Sequence, residues 1–218
     1  MSIHNSLKND LPRITPATSV TEAMSLLKVH HISHTPIFNI GHFAGLLSTK
    51  TIFSNPNKET IADLLYDMDV FFAKTDSQWE EIMEIFAKYD TNIVPVLDQN
   101  NQYMGYYQLV DFIHLFATTP FLKETGSFIV LEKNQDEYSF SEIAQIVESS
   151  RAKLLGIFIS DYSNTKVRIT LKIISNSIAE ILQTFRRYGY AILLEKEDDL
   201  YLQELKDKSD YFEKYLSF

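Results

Sequence analysis

Ile93-Val94-Pro95-Val96-Leu97-Asp98-Gln99-Asn100-Asn101-Gln102-Tyr103-Met104-Gly105-Tyr106-Tyr107-Gln108-Leu109-Val110-Asp111-Phe112 decides the fold. An apolar run stops at Asp98-Gln99-Asn100-Asn101, a turn signal, and an aromatic run follows around Gly105, which predicts a β-hairpin. Phe112, Leu115 and Phe116 then share one helical face, with the helix expected to start at Asp111. Thr35 to Phe53 has the same layout: Thr35-Pro36-Ile37-Phe38 as a strand, a turn over Asn39 to Phe43, Ala44-Gly45-Leu46-Leu47 as a second strand, and a helix opening after Ser48.

The echo extends upstream. Thr18, expected as an N-cap, precedes Val20, Ala23, Met24 and Leu27 at helical spacing. A displacement of 59 puts Ser77 on Thr18, Trp79 on Val20, Ile82 on Ala23, Met83 on Met24, Phe86 on Leu27 and Pro95 on Pro36. One more residue in the turn makes the displacement 60 and puts Gly105 on Gly45. A proline and a glycine recurring in order with a helical stripe mean one supersecondary unit used twice, each copy covering the other's apolar face. Ile14-Thr15-Pro16 reads as a short extended entry to the first copy, and Ile61 to Tyr66 as a short helix after it.

Thr118-Thr119-Pro120 and Thr125-Gly126 mark a boundary, after which the pattern changes. Strands are expected at Ser127 to Lys133, Leu154 to Ser160, Lys166 to Ile174 and Tyr190 to Glu195. Helices are expected after Ser139 and after Asn176 or Ser177, with a hairpin turn at Asp161 to Asn164. That β-α-β-β-α-β order is the ferredoxin-like one. Asp198-Asp199 should start a tail helix with Leu202, Leu205, Phe212 and Leu216 on one seam.

The first half resembles a tandem pair of cystathionine-β-synthase (CBS) domains, through Thr18 to Met24, Thr35-Pro36-Ile37 and Gly45 to Ser48, with their repeats Ser77 to Met83, Val94-Pro95-Val96 and Gly105 to Asp111. By element order the second half resembles an ACT-type regulatory domain, and the layout together that of acetoin-utilization-type CBS–ACT proteins. The expected class is α/β (α+β), divided into CBS repeats at residues 7–66 and 67–117, an ACT-like domain at 127–197 and a C-terminal helix at 198–218.

The resemblance implies a regulatory sensor rather than an enzyme, holding an adenosyl compound such as AMP, ATP or S-adenosylmethionine in a cleft between the repeats. The family's Gly-h-x-Ser/Thr-x-x-Asp pattern brings a helix N-terminus to the phosphate and a carboxylate to the ribose hydroxyls. Here it reads Gly45 to Ser48 with Thr51 in the aspartate position, and Gly105 to Asp111 with Gln108 in the hydroxyl position. The expected contacts are Ser48, Thr51, Gln108 and Asp111, with adenine among Ile14, Ile32 and Pro36 or Ala73, Ile93 and Pro95, and Lys50, Arg13 or Lys74 as phosphate counter-ions. The alternative is a ligand-independent assembly module, since each copy of the pattern lacks one member. ACT-type domains take an amino acid beside a glycine after the first strand, whereas this loop reads Asn134-Gln135-Asp136-Glu137, which favours a dimer-forming role. The expected partners are a second copy of the chain and a regulated enzyme or other protein.

Composition excludes other classes. A net charge of -9, from 20 basic and 29 acidic residues, opposes binding of phosphate backbones. Residues 127 to 218 hold 12 basic and 15 acidic side chains, and Lys166 to Ile173 lacks the stacking aromatics of an RNA-binding sheet. No cysteine is present, so thiol catalysis and disulfides are excluded. His30, His31, His34 and His42 lie close in sequence, but no local carboxylate completes a metal site. No apolar run nears a membrane span and the start lacks a signal-peptide core, so a soluble, cytoplasmic protein is expected. No phosphate-cradling glycine loop or nucleophile elbow occurs.

Overall fold

A computed structural model describes residues 6–194, and these divide between Ala117 and Thr118 into two compact units. In the first unit, Ser19 accepts a hydrogen bond from Glu22 N and opens α1, Val20–Leu27, which buries Val20, Ala23 and Leu27. The cap is therefore Ser19, one residue beyond the expected Thr18, whose hydroxyl accepts from Thr15 N instead. β1 (His34–Asn39) and β2 (His42–Ser48) form an antiparallel hairpin, and α2 (Thr49–Ser54) follows. A 3-10 helix, Ile61–Asp67, ends the first copy.

The second copy repeats the plan with β3 (Ala73–Lys74), α3 (Trp79–Lys88), β4 (Ile93–Leu97), β5 (Tyr103–Gln108) and α4 (Leu109–Ala117). The two hairpins pair in corresponding register. Pro36 faces Leu46 and Pro95 faces Tyr106, while Ile37 faces Gly45 and Val96 faces Gly105. Both hairpins shift register just after those last pairs. Ile14 bridges Ile37 in parallel, as Ala73 pairs with Val96. The copies meet at Ser33 and Asn92, again 59 apart: Ser33 N donates to Asn92 Oδ1 (2.8 Å) and Asn92 N donates to Ser33 Oγ (2.9 Å). A reciprocal pair of this kind marks a local two-fold axis.

The recurring glycines are explained by a chain crossing. Leu46 exchanges backbone hydrogen bonds with Asp69, and Tyr106 exchanges them with Lys8. Thus the segment preceding each copy lies along the glycine strand of the other. A Cβ at Gly45 would lie 2.8 Å from Asp69 O, and one at Gly105 would collide with Lys8 O. Only glycine permits that approach.

In the second unit α5 (Pro120–Lys123) leads into β6 (Ser127–Asn134), α6 (Phe140–Ser149), β7 (Lys153–Tyr162), β8 (Lys166–Ile174), α7 (Ile178–Arg187) and β9 (Ala191–Leu194). The sheet runs β7-β8-β6-β9 with every neighbour antiparallel, the ferredoxin-like arrangement. β7 continues through Asp161 and Tyr162, so the turn is shorter than expected and lies at Ser163 to Thr165. Ile129, Leu131, Ile169, Leu171, Ile143, Val147, Ile181 and Phe185 form the core between sheet and helices. The expected C-terminal helix lies outside the described residues.

Candidate functional site

In the first unit a cleft of about 640 Å³ opens between the two copies. Val29, His30, His31 and Ile32, following α1, form one side; Asn92, Gln108, Leu109, Val110 and Ile113 form the other, with Lys8, Asp10 and Tyr106 at one end. The walls come from both repeats because the local two-fold axis sets the segment after α1 beside the β5–α4 turn. Asn92 holds that juxtaposition: its Nδ2 donates to His31 O at 2.8 Å, and Leu109 N donates to Asn92 O at 3.0 Å. The second bond satisfies one of the amides left free at the start of α4. It also begins that helix at Leu109, two residues before the expected Asp111.

The polar end is built on the N-terminal crossing segment. Lys8 Nζ donates to Gln108 Oε1 at 2.5 Å and stands 3.2 Å from Asp111 Oδ2. The second contact is ionic and lacks hydrogen-bond geometry, leaving Asp111 Oδ2 buried without a hydrogen-bond donor. Tyr106 donates its hydroxyl to Asp10 at 2.7 Å; burial raises the phenol's pKa, and the bond to Asp10 raises it further, so the phenol remains a donor.

Of the residues expected to form the site, Ile32 and Gln108 line the cleft. Asp111 lies beside it, with its carboxylate engaged by Lys8. Ile14, Ala73 and Ile93 are core residues, and Pro36 and Pro95 are buried in their strands. Ser48 and Thr51 belong to the equivalent turn of the first copy, half-buried; Ser48 makes no side-chain cap there. Facing that turn, Tyr89 of the second copy, the counterpart of His30, stacks on Phe71 with centroids 4.2 Å apart, and Phe71 is buried.

Two expected phosphate counter-ions are otherwise occupied. Arg13 lies over the Phe38 ring, and Lys74 donates to Asp98 O and Asn101 Oδ1. Lys50 is exposed on α2. His30 and His31 border the cleft, His34 is buried in β1 and His42 is exposed on β2. Among the described residues no group of three or more His, Asp or Glu side chains comes together to hold a metal ion. No helix among them is long and apolar enough to cross a membrane.

Lys8, Asp10 and Asn92 were missed from sequence. Asn92 was findable, because it occupies the position of Ser33 in the repeat. Lys8 was not, because its place in the cleft depends on a crossing some 97 residues along the chain, from Lys8 to Gly105.

Residues 6–57 match the family model of the CBS domain. The CBS domain-containing protein YhcV of Bacillus subtilis is 20% identical over 105 residues, 46% of this chain and 75% of that protein. Among solved structures, a CBS domain pair/ACT domain protein from Thermotoga maritima is 16% identical, with a TM-score of 0.46 over 53% of this chain and 96% of that one. The CBS domain pair of protein MJ0100, in complex with 5'-methylthioadenosine and S-adenosyl-L-methionine, is 27% identical, with a TM-score of 0.44 over 53% of this chain and 99% of that one. The family match at residues 6–57, with the repeat that follows it in register, supports a CBS domain pair in this chain.

Proposed function

We propose that this chain is a regulatory module, without catalytic activity, that binds a small adenosyl compound in the cleft between its two CBS repeats. The cleft itself carries the reading: about 640 Å³, with apolar walls of Ile32, Leu109, Val110 and Ile113 and a polar end of Lys8, Gln108 and Asp10. A space of this size suits a nucleoside, and a few convergent polar groups on apolar walls are what such ligands need. The apolar walls accept the purine, and the polar end faces the ribose and what it bears. A ligand touching both repeats prefers one mutual arrangement of them, which is the requirement for signalling to a partner.

Isothermal calorimetry with AMP, ATP and S-adenosylmethionine tests this. Saturable binding by one of them, weakened by Ile32→Glu in a folded protein, is the expected result. Absence of heat and of any melting shift at millimolar ligand removes the reading.

The second reading is a ligand-independent assembly module, forming a homodimer or docking on another protein. The Phe71–Tyr89 stack favours it, because it puts aromatic packing where the first copy's counterpart of the cleft would lie. Light scattering that gives one dimeric mass with and without every adenosyl compound, together with no calorimetric binding, would favour assembly alone.

A further inference from the structure

We infer that Lys8 sets the charge preference of the cleft, admitting adenosyl compounds that carry an anion on the ribose 5' carbon and discriminating against those that are neutral or cationic there. This rests on the adenosyl-binding reading above. Four observations carry it. Lys8 Nζ already occupies the polar end, held by Gln108 Oε1 and by the Asp111 carboxylate. Lys8 cannot leave with its backbone, because its N–H and C=O are both bonded to Tyr106, at 3.0 and 2.8 Å. Asp111 Oδ2 is buried beside that ammonium and accepts no hydrogen bond, so it becomes an acceptor for a ribose hydroxyl only when Lys8 moves aside. Asp10, the other carboxylate at this end, already accepts from Tyr106.

A ribose that hydrogen-bonds to Asp111 therefore takes that carboxylate from Lys8. The displaced ammonium stays in the cleft on a four-carbon stem, with a neutral amide oxygen as its partner. A partly buried cation left so is costly, and the cost is removed when the ligand brings its own anion within reach of the same stem. AMP does this. Adenosine does not, and S-adenosylmethionine, net cationic, places its sulfonium on the 5' carbon where AMP bears its phosphate, with its carboxylate further out beside its own ammonium. Gln108 belongs to the same device: it stands where the family pattern has Ser or Thr and holds the ammonium beside Asp111.

The test is calorimetry with adenosine, AMP and S-adenosylmethionine on the wild-type chain and on Lys8→Met, which keeps the stem and the backbone rung but removes the charge. Circular dichroism confirms that the variant is folded. Wild type should bind AMP roughly tenfold or more tightly than adenosine, and S-adenosylmethionine most weakly, the size of one partly buried charged contact. Lys8→Met should tighten adenosine and S-adenosylmethionine, weaken AMP and collapse the ratio. Equal wild-type affinity for adenosine and AMP overturns the inference, as does a ratio that survives Lys8→Met. Failure of all three ligands to bind either protein is a different result: it removes the adenosyl reading, and this inference with it.

Discussion

Lys172 shows how much a single side chain can do away from the cleft. It is 4% exposed in β8, and its ammonium donates to Glu124 O at 2.7 Å and Leu122 O at 3.4 Å while lying 4.9 Å from the centre of the Phe128 ring. Those carbonyls lie at the end of α5, where a helix leaves acceptors unfilled and favours a cation. Lys172→Met keeps most of the apolar stem and strands both carbonyls. It should cost about 1–3 kcal/mol in urea denaturation. A loss below a few tenths would mean that water replaces the ammonium at no cost. At Asn92 the same reasoning applies to the first unit. Asn92→Ala removes the acceptor for Ser33 N and the donor to His31 O, and should also cost about 1–3 kcal/mol. Asn92→Asp, which keeps the acceptor, should cost less, and the comparison of the two melting curves checks it.

At the scale of elements, what was legible in the sequence is what depends on local periodicity. The stripe Val20, Ala23, Leu27 and its repeat Ile82, Phe86 face the core in both copies, and the proline and glycine strands pair as their echo suggested. The ferredoxin-like order was legible for the same reason, because β8 alternates polar and apolar residues from Lys166 to Lys172 and β6 carries the apolar run Phe128 to Leu131. What was not legible is whatever depends on which segments cross. The motif glycines read as part of a ligand pattern, yet their immediate cause is the backbone of Asp69 and of Lys8 lying across them. The candidate adenine contacts Ile14, Ala73 and Ile93 have the right chemistry for a cleft wall, but the same apolarity puts them in the core. Gly105→Ala tests the crossing. The methyl group must displace Lys8 O, which should cost about 1–3 kcal/mol and speed amide hydrogen exchange at Lys8 and Tyr106. Gly45→Ala should do the same at Leu46 and Asp69. If exchange at those amides is unchanged, the crossing segments yield more easily than the close approach implies.

For the whole molecule, the pH dependence of stability follows from where titratable groups are buried, and among the described residues His34 is the histidine whose burial acts in the window near neutrality. The ring is buried in β1, with Nδ1 3.0 Å from Ser33 Oγ and the Phe71 ring near-perpendicular to it, centroids 5.7 Å apart. Burial lowers its pKa from 6.5, and the nearby carboxylates of Asp69 and Asp90 pull the other way without reversing the shift. The folded state therefore prefers the neutral ring and the unfolded chain binds the proton more tightly. Stability from this group is fully present above the unfolded value of 6.5 and is lost as pH falls from there through the folded pKa. The loss can reach at most about 1.4 kcal/mol per pH unit for one proton. Glu132 and Glu142 are each held below the usual carboxylate range by hydrogen bonds, from Lys166 and Arg168 to the first and chiefly from Tyr190 to the second. Their contributions are lost only in the more acidic window below 4.5, so the two effects separate on the pH axis. Urea denaturation of the wild-type chain and of His34→Gln between pH 5 and 8 reads the difference directly. The wild type should lose stability from pH 6.5 downward, while the variant stays level until the carboxylates titrate. Parallel curves over that range would mean that His34 is protonated as readily in the folded chain as in the unfolded one, and that Asp69 and Asp90 offset its burial completely.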